Sequence, residues 1–244
     1  MAATVAARRL TEMHRVAQAR IAAQSVVQLR RVWPLLDPDD LDESFDRWIA
    51  AAAPIVGTNR RASAELAANY VRTFKRLELG ARAVAPVVLA AVAPSAAVTT
   101  SLLVTGPVAV KQALARGVSI DRAMRTAEAR SAAAAMRHAL NGGRDTITAT
   151  ISEDRDALGW ARVTSGRPCA FCAMLSSRGP VYKGEDTAGF QPHDNCHCVP
   201  EPVYRQDAAW PPGAERFRAL WDQAKSADGD TGSVFRRLVE SGEF

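Results

Sequence analysis

The sequence predicts a mainly α-helical protein with a small α+β module near its C-terminus, and two observations support this fold class. Alanine is abundant and aromatic residues make up only 6% of the chain, which favours closely packed helices over a β-sandwich or barrel. All four cysteines lie between Pro168 and Pro200, in a region with short β-branched segments. We therefore predict two or three short strands there, stabilised by a cluster of cysteine and histidine side chains.

The chain of 244 residues has 48% hydrophobic residues, enough to form a core without a metal. We predict three regions. Residues 1–143 form a helical region rich in alanine and arginine, residues 144–205 form the α+β module, and residues 206–244 form a tail of short helices. The first boundary is placed at Gly142-Gly143, where the helical pattern gives way to β-branched residues.

The first helix is predicted over residues 5–32, ended by Trp33-Pro34. Its inward face is predicted from apolar residues at three- and four-residue steps: Leu10, Met13, Ala17 and Ile21. A second helix begins with Asp40 and Glu43, which have the spacing of a capping box, and closes near Pro54. A third runs from about Ser63 to Leu79, with Gly80 at the C-cap position.

No charged residue occurs between Arg82 and Lys111, a length that meets the usual criterion for a membrane span. Pro86, Pro94 and Pro107 divide this stretch into pieces too short and too polar to cross a membrane. We expect no membrane contact. The stretch is instead expected to be buried between helices or against another subunit.

A further helix is predicted from Ser119 to about Leu140, with Asn141-Gly142-Gly143 as its stop. The β-branched segment 146–151 and the segment 160–164 are predicted as short strands. Prolines after the last cysteine predict an extended connector. The tail then has two short amphipathic helices that must dock on this chain or on a partner, with these apolar positions: Phe217, Leu220, Trp221 and Ala224, then Val234, Phe235, Leu238 and Val239.

The cysteines have the spacing of metal ligands. Cys169-x2-Cys172 can turn two sulfurs toward one ion, and zinc prefers four tetrahedral nitrogen or sulfur ligands. The second half of the site comes twenty residues later, as His193-x2-Cys196-His197-Cys198. Five candidate ligands thus compete for four places in a structural zinc site: Cys169, Cys172, His193, Cys196 and Cys198.

His197 ranks last as a ligand because side chains alternate in an extended chain, so Cys196 and Cys198 share one side and His197 faces the other. Turn-forming residues around Asp194 and Asn195 are expected to bring His193 inward. Three other interpretations of the cysteines stay open: reduced buried side chains, a disulfide framework and a redox pair. The N-terminus lacks an apolar core of signal-peptide length, so we expect a reducing intracellular setting, which disfavours disulfides.

Two enzymatic functions were compared with the motif. A zinc deaminase needs a catalytic Glu two residues after an upstream ligand, and His138-Ala139-Leu140 lacks it. A metal-dependent nuclease of the treble-clef type, acting on DNA through His193, Asp194 or His197, is the alternative function that remains. That fold needs a further helix and ligand pair, but Val199-Pro200-Glu201-Pro202 follows the last cysteine. We therefore expect no enzymatic activity.

The net charge is +5, carried mostly by arginine, and the basic excess lies upstream of the cysteines. The planar guanidinium group suits phosphate, so double-stranded DNA is a permissible partner of the Arg-rich helices. Solvated helix faces explain the same charge equally well. The sequence thus leaves contact with DNA open.

Four segments between residues 158 and 204 carry a family resemblance: Gly159–Val163, Arg167–Leu175, Arg178–Tyr182 and His193–Cys198. They resemble the corresponding motifs of the MuF-type minor capsid (head morphogenesis) proteins of tailed phages. It implies a structural protein of the virion, located inside the capsid and assembled in the host cytoplasm. It also implies action in procapsid assembly near the portal, with the portal protein and the major capsid protein or scaffold as partners, and no catalysis.

Overall fold

The computed structural model describes residues 4–93, 95–164, 166, 168–181, 190–206 and 210–242. Within these ranges the protein is mainly helical with one small antiparallel sheet, which confirms the predicted fold class. The helices are α1 (Val5–Val32), α2 (Glu43–Leu79), α3 (Ser95–Leu103), α4 (Ala109–Ala115), α5 (Ile120–Glu153), α6 (Ala170–Ser176), α7 (Ala214–Ser226) and α8 (Thr231–Ser241). The strands are β1 (Gly159–Val163) and β2 (Val199–Val203).

Helices α1, α2 and α5 pack against one another and form the body of the protein. One apolar cluster, around Trp33, Trp48 and Leu102, joins them to α3 and α4. A second cluster, around Tyr70 and Ile147, joins them to the strands and the cysteines. The cysteine region is therefore packed directly against the helical body.

The bounds of α1 confirm the prediction, but its buried face was predicted incorrectly. Met13 is 67% exposed, and the face toward the other helices contains many polar residues. Two of them form buried hydrogen bonds with α2: Thr11 Oγ1 lies 2.8 Å from Tyr70 Oη, and the Ser63 hydroxyl donates to Gln18 Oε1 at 2.7 Å. A search for apolar periodicity misses such a face. Its members are Ala7, Thr11, His14, Gln18, Ala22, Ser25 and Leu29.

The predicted second and third helices are one continuous helix, α2, which contains Pro54 in its interior. Pro54 lacks an N–H for the carbonyl of Ala50, but both residues are exposed, so water can satisfy that carbonyl. The predicted end at Gly80 is confirmed, whereas the N-cap residue is Asp42 and not Asp40. Asp40 Oδ1 accepts from the N–H of Glu43 at 3.3 Å, and Gly80 ends the helix with φ +102°.

The predicted helix stop at Gly142-Gly143 is wrong, and so is the strand at 146–151, because α5 continues through both. The glycines are needed for close packing: a Cβ at Gly142 would lie 2.1 Å from the carbonyl oxygen of Arg60 on α2. Thr146 and Thr150 lie beyond them on α5, and their hydroxyls accept from the N–H groups of Ala90 and Val88 at 3.0 Å. Helix α5 therefore crosses the position where a regional boundary was predicted.

The uncharged stretch is only partly buried between helices of this chain, and its predicted contact with another subunit stays a prediction. Val98, Leu102 and Val110 are buried in α3 and α4, whereas Val84 is 76% and Val92 82% exposed in the extended segment before them. The hydroxyls of Thr146 and Thr150 on α5 accept hydrogen bonds from backbone N–H groups of this segment. These bonds fix the segment against α5 and supply partners for backbone groups that no helix or strand satisfies. Among the described helices, none is long and apolar enough to cross a membrane.

Strand β1 pairs with β2 in an antiparallel register that places Trp160 opposite Pro202 and Arg162 opposite Pro200. The segment of β2 was predicted only as an extended connector, because its prolines have no N–H to donate to a neighbouring strand. In sheets, proline is therefore confined mainly to edge strands.

The predicted C-terminal helices are confirmed as α7 and α8. They dock on α6 of this chain, where Phe217 and Leu220 are buried, so these two side chains are not free to contact another protein.

Candidate metal centre

Cys169 and Cys172 lie at the beginning of α6. Cys169 is the N-cap residue, and its Sγ accepts from the backbone N–H of Cys172 at 3.4 Å. The N-terminal end of a helix carries unpaired N–H groups and a partial positive charge, which favour a sulfur that carries negative charge. This local geometry turns both sulfurs to the same side.

The second half of the site is a tight turn followed by β2. The N–H of Cys196 donates to the carbonyl of His193 at 3.2 Å, and Asn195 takes a left-handed conformation with φ +63°. The expected turn is therefore present. Cys196 and Cys198 are both buried, whereas His197 between them is half-buried.

The structure brings together all five side chains predicted as metal ligands, in two groups that share Cys172. Cys169, Cys172 and His193 form one group, and Cys172, Cys196 and Cys198 form the other; within each group the donor atoms lie within 4.8 Å of one another. His197 belongs to neither group, as expected from the alternation of side chains. These Cys and His side chains can hold a metal ion.

The spacing of the donor atoms fits a tetrahedral zinc ion. Zn–S and Zn–N distances of about 2.3 and 2.0 Å place ligand sulfurs about 3.8 Å apart and a nitrogen about 3.5 Å from a sulfur. The Sγ atoms of Cys172 and Cys196 are 3.7 Å apart, and Cys172 Sγ lies 3.5 Å from His193 Nε2. Cys169 Sγ is closer to His193 Nε2, at 2.8 Å, which is hydrogen-bonding distance.

The ring of His193 is oriented for binding through Nε2. Its Nδ1 lies 2.6 Å from the carbonyl oxygen of Asp194, so Nδ1 carries the hydrogen and donates it. Nε2 then has a free lone pair directed at the cysteine sulfurs. A backbone carbonyl commonly fixes a metal-binding histidine in this way.

Asp194 is one of the residues to which the nuclease alternative gave a catalytic role. Its carboxylate instead pairs with Arg137 of α5, with Oδ1 2.6 Å from the guanidinium Nε. This contact ties the turn that carries His193 to the helical body. The imidazole of His193 is likewise directed at the cysteines through its Nε2.

Hydrogen bonds between the buried sulfurs divide their protons unequally. The bond with Cys172 lowers the pKa of the Cys196 thiol, and the same bond raises the pKa of Cys172. The two thiols therefore differ in how readily they release a proton. A divalent ion can replace the shared protons, because thiolates are the form of cysteine that binds metals.

The matches with known proteins agree with a phage origin. The VG15 protein family matches residues 4–224, a range that contains both donor groups and ends within α7, before α8. The chain belongs to the VG15 family. No solved structure gives a significant match.

This VG15 family member is also similar to the Gene 15 protein of Mycobacterium phage D29. The two are 27% identical over 180 aligned residues, which cover 53% of this chain and 65% of the relative. The chain thus spans just under two thirds of the length of that curated relative. The similarity supports a phage protein family, and nothing in the printed name states an activity.

Sequence reasoning missed two buried arginines of this VG15 family member. Arg144 on α5 donates from Nε to the carbonyl of Cys198 at 3.2 Å and from Nη2 to the carbonyl of Cys196 at 2.5 Å. Nη1 of Arg162 on β1 lies 4.0 Å from Cys172 Sγ. The sequence did contain an indication for Arg162. It is a charged residue between the apolar residues Trp160-Ala161 and Val163 in a segment predicted as a strand, and a charged residue is rarely buried without a partner.

Proposed function

We propose that this protein is a structural minor capsid, or head morphogenesis, protein of a tailed phage. Its place is inside the capsid near the portal, during procapsid assembly. The membership in the VG15 family, the similarity to a phage gene product and the resemblance of residues 158–204 to MuF-type proteins support this role. No catalytic step is part of the proposal.

The observation that carries the proposal is the position of the cysteines in the hydrophobic core. Cys172, Cys196 and Cys198 belong to the same buried cluster as Tyr70 of α2 and Trp160 of β1. A metal ion held among these sulfurs would link α6, β2 and the helical body. A closed structural site of this kind stabilises a fold, whereas catalytic zinc sites keep a position open for water or substrate.

We propose zinc as the ion because the five donors are sulfur and imidazole nitrogen, which zinc prefers in structural sites. Elemental analysis of protein purified without added metal tests this directly. About one zinc ion per chain is expected. A chain that carries no zinc, and whose stability is unchanged by a chelator, would contradict the metal proposal.

The role in the phage head is tested by assembly with its proposed partners. The chain is co-expressed with the portal protein and with the major capsid protein and scaffold of the same phage, and portal rings are isolated. We expect the wild type to co-purify with portal rings. Absence from portal rings, from procapsids and from complexes with the capsid and scaffold proteins would contradict the role.

The absence of nuclease activity is tested separately. Double-stranded DNA is incubated with the wild type and with H193A and H197A in the presence of divalent metals. We expect no cleavage by any of the three. Cleavage by the wild type that H193A or H197A abolishes would establish the nuclease alternative instead.

Contact with double-stranded DNA is proposed through exposed arginines of α1. Arg9, Arg20, Arg30 and Arg31 are all exposed on that helix. Binding through phosphate contacts releases counterions, so affinity is expected to fall steeply between about 50 and 200 mM salt. Binding that is absent, or insensitive to salt, would reject DNA as a partner.

A further inference from the structure

Two arginines are buried beside the cysteines. Arg144 is 2% exposed and Arg162 is 1% exposed. Among the described residues, no carboxylate forms an ion pair with either guanidinium. A buried charge without compensation costs several kcal/mol, so an anionic group is expected close to both.

Both arginines contact the cysteine region, and Arg144 also donates from Nη1 to Asn141 Oδ1 at 3.0 Å. Arg144 donates to the backbone carbonyls of Cys196 and Cys198, which places its charge beside their sulfurs. The guanidinium of Arg162 stacks 3.7 Å from the ring centre of Phe190 and points Nη1 toward Cys172 Sγ. Nε of Arg162 has no hydrogen-bond partner among the described residues.

We propose that Arg144 and Arg162 are the counter-charges of an anionic, thiolate-rich metal centre. In this centre Cys172, Cys196 and Cys198 bind a divalent, zinc-like ion as thiolates. This inference rests on the metal binding included in the proposed function. It goes further by assigning the number of thiolates and giving a role to two residues that are not ligands.

The charge balance explains why three or four thiolates are expected. A divalent ion bound by two thiolates and two neutral ligands is neutral and leaves both arginines uncompensated. Three thiolates and a histidine give a centre of charge −1, and four thiolates give −2. Two buried positive charges therefore favour a centre with at least three thiolates.

The fourth ligand comes from the outer side of the cluster. Cys169 and His193 are both exposed, and their donor atoms lie 2.8 Å apart, so they compete for one position. The three buried sulfurs form the inner part of the site in either case. Loss of one outer ligand is then expected to weaken metal binding without abolishing it.

The test measures metal affinity and stability in R162M, R162K and R144M. We expect R162M and R144M to bind zinc about 10- to 100-fold more weakly than the wild type in competition with a chelator. R162K keeps the charge and is expected to retain most of the affinity. R60M is the matched control, because Arg60 pairs with Asp145 and contacts none of the cysteines; its zinc affinity is expected to be unchanged.

Two further readouts separate charge compensation from a purely structural role. Metal-free R162M is expected to be at least as stable as the metal-free wild type, because it no longer buries an uncompensated charge. Equal destabilisation of R162M with and without metal would overturn the inference.

Cobalt-substituted wild type is expected to show sulfur-to-metal charge-transfer bands with the intensity of at least three thiolates. A spectrum that corresponds to two thiolates would also overturn the inference.

If the wild type binds no metal, the inference fails together with the zinc proposal. The role in the phage head is then still decided by co-purification with portal rings. The two proposals are therefore tested by different measurements.

Discussion

Cys172 is the residue shared by the two groups of donors, which sets it apart from the other ligands. We expect C172S to lose bound metal completely, because no other sulfur lies in both groups. C169S is expected to keep metal at reduced affinity, since His193 can supply the outer ligand. Metal content after gel filtration measures both effects.

H197A is the control for these variants, because His197 lies in neither donor group. It is expected to keep the metal content of the wild type. Full metal content in C172S, or loss of metal in H197A, would show that the ligands are assigned incorrectly.

His14 gives the protein a pH-dependent stability. It is buried against Tyr70, with the two rings stacked at 4.3 Å, and burial lowers its pKa to about 3. Below pH 6.5 the unfolded chain binds a proton that the folded chain does not, so stability falls as the pH is lowered from about 6.5 toward 3. Each pH unit in this window costs up to about 1.4 kcal/mol.

H14F removes this titration and keeps an aromatic ring beside Tyr70. Between pH 7 and pH 5 the wild type is expected to lose about 2 kcal/mol more of its free energy of unfolding than H14F does. Urea unfolding at both pH values measures the difference, with chelator present so that metal release does not contribute. Equal losses in the two proteins would contradict the prediction.

Lys75 forms a buried ion pair with Asp154, and loss of this pair is expected to lower the free energy of unfolding strongly. Its Nζ lies 2.6 Å from Asp154 Oδ1, and both side chains are at most 3% exposed. K75M leaves the Asp154 carboxylate buried without its cation, and we expect a loss of about 3–5 kcal/mol in the free energy of unfolding. Chemical denaturation measures it.

K111M is the matched control, because Lys111 pairs with Asp42 at an exposed site. Exposed pairs contribute less than about 1 kcal/mol, so its stability is expected to change little. Equal losses of stability in K75M and K111M would show that burial does not determine how much an ion pair contributes.

At the scale of the elements, the packing of α2 against α5 depends on Gly142. A Cβ there would lie 2.1 Å from the Arg60 carbonyl oxygen, and a backbone atom cannot move aside like a side chain. G142A is expected to cost about 3 kcal/mol or more, because the two helices must separate. Thermal and chemical unfolding measure the loss.

G57A provides the comparison within α2. A Cβ at Gly57 would meet nothing within 4 Å, so alanine there is expected to stabilise the helix by about 0.5–1 kcal/mol. A loss of stability in G57A similar to that in G142A would show that close approach of the helices is not the reason for the glycine.

The helical elements also show where sequence reasoning works. The ends of α1 and the C-cap at Gly80 are local features, and they were predicted correctly. Pro54 and Gly142 were interpreted as stops, yet each depends on what lies beside the helix. The solvent exposure of Pro54 and the closeness of the α2 backbone to Gly142 depend on the tertiary structure, which a local sequence pattern does not contain.

The same limit applies to the metal centre. All five candidate ligands were predicted from their spacing, because ligands close together in sequence are constrained by local geometry. Arg144 was missed because it lies on another element and is brought to Cys196 and Cys198 only by the packing of α5. Spacing alone also does not decide whether Cys169 or His193 would be the outer ligand of the proposed site, because the two donor atoms lie 2.8 Å apart on different elements.

At the scale of the whole molecule, the cysteines and the long helices share one core. Cys172, Cys196 and Cys198 pack in the cluster that contains Phe74 of α2 and Ile151 of α5. Removal of metal is therefore expected to destabilise the helices as well as the strands. We expect chelation to lower the melting temperature of the helical circular dichroism signal by about 10 °C, in one transition.

Two transitions, with the helices melting at the same temperature with and without chelator, would contradict this expectation. They would instead indicate that residues 144–205 unfold as a separate unit. The measurement thus tests the regional division predicted from the sequence, which α5 crosses.

The contact of Arg144 with the cysteine strand also has a consequence for synthesis of the chain. Helices α1, α2 and α5 all leave the ribosome before Cys169, and the N-terminal parts of a chain generally fold first. Because Arg144 on α5 donates to the carbonyls of Cys196 and Cys198, we expect the proposed metal site to form only after that helix has docked. If the proposed ion is bound, a chain that carries it is expected to be one whose helical body has folded, and we expect the supply of the ion to limit the number of fully folded copies.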